Sequence, residues 1–178
     1  MSLFNLKNKS ILITGSSRGI GKAIAKHCAL HGANVIISSR KADVCQVTTD
    51  EINELVGEEL AHSIPASISE PEQLEQLVLK TREKLGKIDV LICNAATNPF
   101  MGSMLDMPSD KFDKVMQNNI KSNQILCNLV IPEMVERNDG SIIIISSIGG
   151  LKGSSLLGAY NISKAADIMM VKNIAAEF

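Results

Sequence analysis

Thr14-Gly15-Ser16-Ser17-Arg18-Gly19-Ile20-Gly21 is the stretch that decides the fold of this 178-residue chain. The apolar run Ile11-Leu12-Ile13 precedes it, and a helical pattern follows it. We expect the buried face of that helix to carry Ile20, Ile24 and Cys28, with Ala23 and Ala25 allowing close packing. A strand, a glycine-rich turn and a helix form the setting of a phosphate-binding loop. An ordinary strand-to-helix turn is the alternative.

Each glycine of this stretch has its own expected role. Gly15 takes the positive φ of a tight turn, Gly19 lets a pyrophosphate approach the backbone, and Gly21 lets the helix lie close to the strand. The N–H groups at the helix start then face the phosphates of a dinucleotide. The residues between the glycines that are predicted to contact the cofactor are Ser17, Arg18 and Ile20.

Composition excludes several classes of function. Hydrophobic residues make up 45% of the chain and charged residues 21%, which is typical of one soluble globular domain. A formal net charge of -1 and 3% aromatic residues argue against a nucleic-acid partner or an acidic membrane surface. The chain has no apolar run of the ~20 residues that a membrane span needs, and its first residues do not resemble a signal peptide. We therefore expect a cytoplasmic protein.

The cysteines and histidines show no metal-binding pattern. No C-x-x-C spacing occurs, and we expect the cysteines to be small buried hydrophobes or incidental thiols. Two histidines stand four residues apart without an acidic or thiol partner near them in sequence, so we expect surface positions. These residues are Cys28, Cys45, Cys93, Cys127, His27, His31 and His62. The sequence therefore predicts no metal site and no disulfide.

Strands alternate with helices along the whole chain, which predicts βαβ units and a parallel sheet. The predicted strands are 10–14, 34–38, 62–66, 89–93 and 141–145. The predicted helices are 19–31, 47–60, 69–85, 109–136 and 160–178, and the third opens with a capping box at Ser69-Glu70-Pro71-Glu72 and stops at Gly86. No linker or repeat divides the chain, so residues 1–178 are expected to form one Rossmann-like, doubly wound dinucleotide-binding domain with helices on both faces.

Tyr160 and Lys164 stand one helical turn apart in Tyr160-Asn161-Ile162-Ser163-Lys164. A free phenol titrates near ~10, which makes it a poor acid or base at neutral pH. A neighbouring ammonium favours the phenolate. A phenol tuned in this way can give a proton to a carbonyl oxygen or take one from an alcohol. A surface Tyr–Lys pair without chemistry is the alternative.

Polar residues follow two of the predicted strands. Ser147 lies at the end of the fifth strand, where open α/β sheets bind ligands, and a hydroxyl there can hold a substrate oxygen. Ser146 is its rival, because neighbouring residues of a strand face opposite sides. Asn94 ends the fourth strand, and the small residues after it would let a cofactor lie against the backbone; a turn role is the alternative.

Asn119 lies inside the fourth predicted helix, where asparagine is mildly unfavourable. Its side chain or a nearby carbonyl is predicted to hold a water near Lys164. The alternative is that Asn118 and Asn119 are ordinary polar positions on the helix.

Together these residues resemble the short-chain dehydrogenase/reductase family. The order is the glycine loop, Asn94-Ala95-Ala96, Asn119, Ser147 and Tyr160-x-x-x-Lys164, and the spacing of Ser147 to Tyr160 favours Ser147 over Ser146. The resemblance covers the chain from about Leu6. It extends to the carbonyl-reductase and retinol-dehydrogenase-like branch through two stretches, Ser38-Ser39-Arg40-Lys41 and Asn94-Ala95-Ala96-Thr97-Asn98-Pro99-Phe100.

The resemblance implies an oxidoreductase that acts on a small carbonyl or alcohol substrate. It implies Tyr160 as general acid/base, Lys164 as its tuner and a ribose ligand, Ser147 as the anchor of the substrate oxygen, and Asn119 as the holder of a proton-relay water. The nicotinamide would carry the hydride while the protein positions it. The family also implies a homodimer or tetramer through the fourth and fifth predicted helices.

The end of the second predicted strand favours NADP(H) over NAD(H). NAD enzymes place an acid there to bond the ribose 2′-OH, whereas an arginine suits a 2′-phosphate. Ser39 occupies the position of the acid, Arg40 follows it, and Arg18 lies within plausible reach. Arginine grips phosphate with two parallel hydrogen bonds.

Two features depart from the family pattern. Ala66-Ser67-Ile68-Ser69 stands where the family often has an aspartate near the adenine. The family also continues past the fifth helix with two strands, a substrate lid and a Pro-Gly loop, so we expect an incomplete sheet with an exposed edge and apolar face. A non-catalytic nucleotide-binding or interaction module is therefore the alternative function. A divergent enoyl reductase is set aside, because it needs a lysine at position 167, which is Asp167.

Overall fold

The computed structural model describes residues 4–178, in which five strands form one parallel sheet. The strands are β1 (Ser10–Thr14), β2 (Asn34–Ser38), β3 (Ala61–Ser63), β4 (Val90–Cys93) and β5 (Ser141–Ile144). They pair in the order β3-β2-β1-β4-β5. The winding therefore reverses between β1 and β4, which confirms the Rossmann-like, doubly wound fold and places a crevice at the carboxyl ends of these two strands.

Six α-helices connect or follow the strands. They are α1 (Gly19–Leu30), α2 (Ala42–Val56), α3 (Pro71–Leu85), α4 (Ser109–Val115), α5 (Ser122–Glu136) and α6 (Gly158–Glu177). A π-helical segment, Met116–Lys121, joins α4 to α5 without a break. The predicted helix 109–136 is therefore continuous but widens in its middle, a local change of helix type that is frequent at functional sites.

The sheet separates two apolar cores because successive side chains of a strand face opposite sides. On one face, Leu12 of β1 packs with residues of α3 and α5 such as Leu74 and Leu126. On the other face, Ile13 packs with residues of α1 and α2 such as Ala25. Both layers are built on β1, whose five residues are all buried.

The buried face of α1 differs from the predicted one. Gly21, Ala25 and Ala29 are buried, whereas Ile20 is 65% exposed and Ala23 is exposed too. Small residues recurring every fourth position let the helix backbone approach the sheet. A Cβ on Gly21 would lie only 2.5 Å from the carbonyl oxygen of Gly15. The helix therefore buries the face with its smallest residues and not the face with Ile20.

The second helix and third strand lie earlier in the chain than predicted. α2 begins at Ala42 and ends at Val56, because Gly57 takes a positive φ and donates its N–H to the carbonyl of Asn53. The amide oxygen of Asn53 then accepts from the N–H of Ala61 at 2.8 Å and brings the chain into β3. β3 ends at Ser63, two residues before Pro65, which has no N–H to donate.

The predicted capping box at the start of α3 is wrong. Glu70 occupies the N-cap position, and no side chain among the described residues caps the helix there. The hydroxyl of Ser69 is instead 3.2 Å from a carboxylate oxygen of Glu70. The predicted first-turn proline, Pro71, and the predicted stop at Gly86 are both confirmed.

Most of the cysteines are buried, and most of the histidines are exposed. The four cysteines are free thiols, of which Cys28 alone is partly exposed. His27 and His31 are exposed, and His62 is half-buried. Among residues 4–178, no cluster of three or more histidines, cysteines or acids is placed to hold a metal. None of the helices described here combines the length and apolar character needed to cross a membrane.

Candidate active site

The glycine loop lies at the end of β1, and its Gly15 has the positive φ that the sequence predicts. Gly15 has a φ of +66° and Gly19 a φ of +57°, a region that side chains other than glycine rarely adopt. Apart from its chain neighbours and the backbone of its own helix, no atom of residues 4–178 lies within 4 Å of the position that a Cβ on Gly19 would take. α1 starts at this residue, and no described side chain caps it. The N–H groups of the first turn are therefore available to a ligand.

Asn94, predicted as a cofactor residue, joins the glycine loop to the end of β4. Its side-chain amide donates to the carbonyls of Thr14 at 2.9 Å and Gly15 at 3.1 Å. In return, the Thr14 hydroxyl accepts from the backbone N–H groups of Asn94 and Ala95, both at 3.1 Å. The loops that follow the two central strands are thus bonded to each other across the crevice.

Two hydroxyls that the sequence analysis did not single out fix the other side of the glycine loop. The buried Ser16 donates to the carbonyl of Ile13 at 2.7 Å and accepts from the N–H of Ser38 at 2.8 Å. Thr48 of α2 donates to the carbonyl of Ser17 at 3.0 Å. The bonds to Ser38 and from Thr48 join residues 22 and 31 positions apart, so only the fold reveals them.

The residues predicted to select the cofactor lie at the end of β2. Ser39 is half-buried, and its hydroxyl is 3.1 Å from the sulfur of Cys45. Arg40 follows it and is exposed, as is Arg18 at the start of α1. Both guanidinium groups are therefore accessible to an anion near the carboxyl ends of β1 and β2.

Tyr160 and Lys164 lie on α6, with the lysine Nζ 5.9 Å from the centre of the phenol ring. Tyr160 is half-buried, whereas Lys164 is only 3% exposed. The ammonium donates to the carbonyl of Ile145 at 2.7 Å and to the carboxylate of Asp167 at 2.9 Å. The lysine is therefore bound to the carboxyl end of β5 as well as to its own helix.

The structure gives Ser146 and Ser147 different partners. The hydroxyl of Ser146 donates to the carbonyl of Lys164 at 2.9 Å and so joins β5 to α6. The hydroxyl of Ser147 accepts from the N–H of Gly149 at 3.1 Å, which leaves its own proton free to be donated elsewhere. Ser147 therefore keeps a hydroxyl proton for another partner, whereas Ser146 uses its proton within the fold; the predicted role of Ser147 in binding a substrate oxygen stays a prediction.

Asn119 is completely buried in the π-helical segment. Its amide oxygen accepts from the N–H of Thr97 at 2.7 Å, and its amide nitrogen donates to the carbonyl of Thr97 at 2.9 Å and to the hydroxyl of Ser163 at 3.0 Å. Ser163 donates to the carbonyl of Tyr160 at 2.7 Å. Asn119 therefore bonds the loop after β4 to the start of α6, a connection through Ser163 that the sequence analysis missed.

Two thiols lie beneath this site. Cys93 ends β4 and is hydrogen-bonded to Cys127 of α5. This hydrogen bond, together with burial and the charge of Asp167, raises the pKa of the Cys93 thiol well above its ordinary value. The same hydrogen bond lowers the pKa of the Cys127 thiol.

The site thus lies along one rim of the sheet. The glycine loop and Asn94 follow the two central strands, Ser39 and Arg40 follow β2, and Ser147 follows β5. All these strands are parallel, so their carboxyl ends meet at one edge. An open glycine loop without a side-chain cap and a phenol–ammonium pair on one rim fit the binding of a nucleotide cofactor beside a reacting oxygen.

Comparison with known proteins agrees with this geometry. The family model for short chain dehydrogenases matches residues 9–178. The bovine (Bos taurus) dehydrogenase/reductase SDR family member 4 is 40% identical over 97% of this chain, which spans 61% of that protein.

Solved structures show the same fold. A short-chain type dehydrogenase/reductase from Mycobacterium marinum matches with a TM-score of 0.91 at 34% identity, covering 98% of this chain and 69% of that one. A 7α-hydroxysteroid dehydrogenase, complexed with NADH and 7-oxo glycochenodeoxycholic acid, matches with a TM-score of 0.91 at 33% identity, covering 98% and 67%. The chain belongs to the short chain dehydrogenase family.

Proposed function

We propose that this chain is an NADP(H)-dependent oxidoreductase that interconverts a carbonyl compound and an alcohol, with Tyr160 as general acid/base. The proposal rests on one observation: the Nζ of Lys164 lies 5.9 Å from the centre of the Tyr160 ring. This pair lies on the same rim of the sheet as the glycine loop. Membership of the dehydrogenase family supports a hydride-transfer reaction. Because the chain spans 61% of its bovine relative, the activity of this polypeptide is itself part of the proposal.

The residues present fit a dinucleotide. Gly15 and Gly19 adopt positive φ values, the space above Gly19 is open, and the first N–H groups of α1 have no side-chain cap among residues 4–178. We assign the phosphates to this loop, with Ser17 and Ile20 beside them and Gly21 keeping α1 close to β1. We assign the ribose next to the nicotinamide to Tyr160 and Lys164.

The chain's own residues supply the proton chemistry. The bound nicotinamide supplies or accepts the hydride. In carbonyl reduction, the Tyr160 hydroxyl gives its proton to the substrate oxygen, and the Lys164 ammonium stabilises the phenolate that remains. The Ser147 hydroxyl donates to the same oxygen and orients it. Asn119 holds the loop after β4 against the start of α6 through its hydrogen bonds to Thr97 and Ser163. As the resemblance implies, it also helps to return a proton to Tyr160.

We propose NADP(H) rather than NAD(H) because of the charges at the end of β2. Ser39 brings no carboxylate that would bind a ribose 2′-OH or repel a 2′-phosphate, and Arg40 and Arg18 are exposed beside it. The related 7α-hydroxysteroid dehydrogenase was solved with NADH, so family membership alone does not decide between the two cofactors.

The substrate is proposed to be a small carbonyl or alcohol compound that enters beside the loop after β4. Phe100 is half-buried in this loop, while Met101 is 69% and Met104 46% exposed, which provides an apolar wall. We further propose a cytoplasmic homodimer or tetramer formed through the α4–α5 helix and α6, without nucleic-acid or membrane partners. Light scattering of the purified protein measures the assembly.

The alternative function is a nucleotide-binding module without catalysis. The side chains at positions 119, 147, 160 and 164 favour an enzyme. Titration of the purified chain with NADPH and NADH, followed by turnover with a panel of ketones and aldehydes, separates the two. We expect NADPH to bind and to be oxidised; binding without oxidation supports the module, and no binding contradicts both.

A further inference from the structure

Asp167 is a carboxylate with no exposed surface, placed directly against Lys164. The two residues stand three apart on α6, so they share one face of the helix. Their charged atoms are 2.9 Å apart, with side chains 3% and 0% exposed. Burying a carboxylate costs free energy unless the group is paired and hydrogen-bonded. The contact with Lys164 therefore stabilises the buried Asp167.

The second carboxylate oxygen of Asp167 is also bonded. It accepts from the side-chain amide of Asn123 at 3.0 Å, and that amide also donates to the backbone carbonyl of Asn119 at 2.7 Å. A continuous chain of hydrogen bonds thus runs from Asn119 through Asn123 and Asp167 to the ammonium of Lys164. The π-helical segment, α5 and α6 are connected by buried polar groups at this point.

Asp167 provides the only carboxylate contact of the ammonium among residues 4–178. The other groups that face it are Tyr160 from α6, Cys93 from β4 and the carbonyl of Ile145 after β5. Cys127 of α5 is hydrogen-bonded to Cys93, and it too feels the charge of Asp167. The carboxylate and the carbonyl occupy two of the three ammonium protons, which leaves one for the rim.

We propose that Asp167, oriented by Asn123, is the positioning residue of Lys164: it holds the buried ammonium in place and aims its remaining proton at the rim beside Tyr160. This inference rests on the proposed function in so far as Lys164 takes part in the reaction. The holding of the ammonium itself follows from the contacts and can be measured without turnover.

The test is the rate of acylation at Lys164 at one fixed pH, followed by peptide mass spectrometry in the parent and in Asp167→Asn. Asparagine keeps the shape of the side chain but removes the opposite charge. Because the ammonium then loses the carboxylate that holds it, we expect Lys164 to be acylated about 10-fold faster in Asp167→Asn. With a carbonyl compound that the parent reduces, we expect kcat of Asp167→Asn to be about 10-fold lower and KM to stay unchanged.

Asp89→Asn is the matched control, because Asp89 is another buried carboxylate paired with a lysine at 2.9 Å, but lies at the amino ends of the strands. Acylation of Lys164 should not change in this variant. An unchanged acylation rate of Lys164 in Asp167→Asn, or an equal change in both variants, overturns the inference. If Asp167→Asn does not fold, Asn123→Ala must raise the acylation rate of Lys164 by a smaller factor, and an unchanged rate overturns the inference again. Failure of the parent to oxidise NADPH counts against the proposed function alone, since the acylation result stands by itself.

Discussion

Asn94 and Thr14 bind each other in both directions. The Asn94 amide donates to the Thr14 carbonyl at 2.9 Å, and the Thr14 hydroxyl accepts from the Asn94 N–H at 3.1 Å. This reciprocal bonding keeps the glycine loop in place at the point where the winding of the sheet reverses. The glycine loop, the proposed cradle for the phosphates, therefore depends on a side chain that lies 80 residues away from it in sequence.

Replacing this side chain is expected to loosen the glycine loop. Asn94→Ala leaves the carbonyls of Thr14 and Gly15 without their amide donor, which costs about 1–3 kcal/mol of stability. We also expect NADPH affinity to fall, because a loop that must be ordered on binding binds less tightly. Urea unfolding and fluorescence titration measure the two effects. The exposed Asn98 in the same loop is the control, and an Asn98→Ala variant that lost as much as Asn94→Ala would contradict the account.

The proposed preference for NADP(H) depends on charge at the end of β2. Arg40→Ala is expected to weaken NADPH binding about 10-fold and to leave NADH binding nearly unchanged, because only NADPH carries the 2′-phosphate. Adding Ser39→Asp should move the preference towards NADH. The exposed Lys41 provides the control for general electrostatics. Equal losses for both cofactors in Arg40→Ala would show that this arginine does not read the phosphate.

The two serines after β5 should respond differently to the loss of their hydroxyls. Ser147→Ala is expected to lower kcat by about 10–100-fold with little loss of stability, because one donor to a developing oxyanion is removed. Ser146→Ala breaks the bond to the carbonyl of Lys164 and should mainly lower the free energy of unfolding, by about 1 kcal/mol. Steady-state kinetics and thermal unfolding of both variants, side by side, check this. The reverse pattern would assign the substrate oxygen to Ser146.

Asp89 should make stability depend on pH in the acid range. Burial alone would raise the pKa of Asp89, but the hydrogen bonds from Lys87 and from the N–H of Ser10 outweigh it, so the pKa lies below its ordinary value. The stabilisation is therefore complete above the unfolded pKa of about 3.9 and is lost as the pH falls through the lower folded pKa.

The matching variant is Asp89→Asn, which loses the ion pair with Lys87. We expect it to be less stable than the parent at pH 7, by about 1–3 kcal/mol, and the difference to shrink below about pH 4. Urea denaturation at a series of pH values measures this. A difference that stayed constant down to pH 2 would show that the charge of Asp89 does not stabilise the fold.

The order of strands and helices was predictable because each strand is a short apolar run bounded by turn residues. β1 and β2 begin and end where the sequence predicts. The boundaries of α2 were not predictable, since the left-handed stop at Gly57 competes with apolar residues further on, such as Leu60. The buried face of α1 was mistaken because close approach to the sheet outweighs the burial of one large side chain, Ile20.

The motifs of the candidate site could be found from the sequence because each occupies a few consecutive residues. The bonds that connect them could not. Asn119 and Ser163, like Asn123 and Asp167, lie 44 residues apart and meet only through the packing of α6 against the π-helical segment and α5. In the sequence, Asp167 serves only to set aside the enoyl reductase, and nothing there indicates that its carboxylate is buried against Lys164.

In the proposed NADPH-dependent reduction, the Tyr160 hydroxyl supplies the proton to the substrate oxygen. Tyr160→Phe removes this oxygen alone, so the most direct measurement compares kcat for NADPH oxidation with NADPH affinity in the parent and in this variant. We predict that kcat falls by about 100-fold or more while the dissociation constant of NADPH changes little. A phenylalanine variant that retains the turnover of the parent would contradict the account.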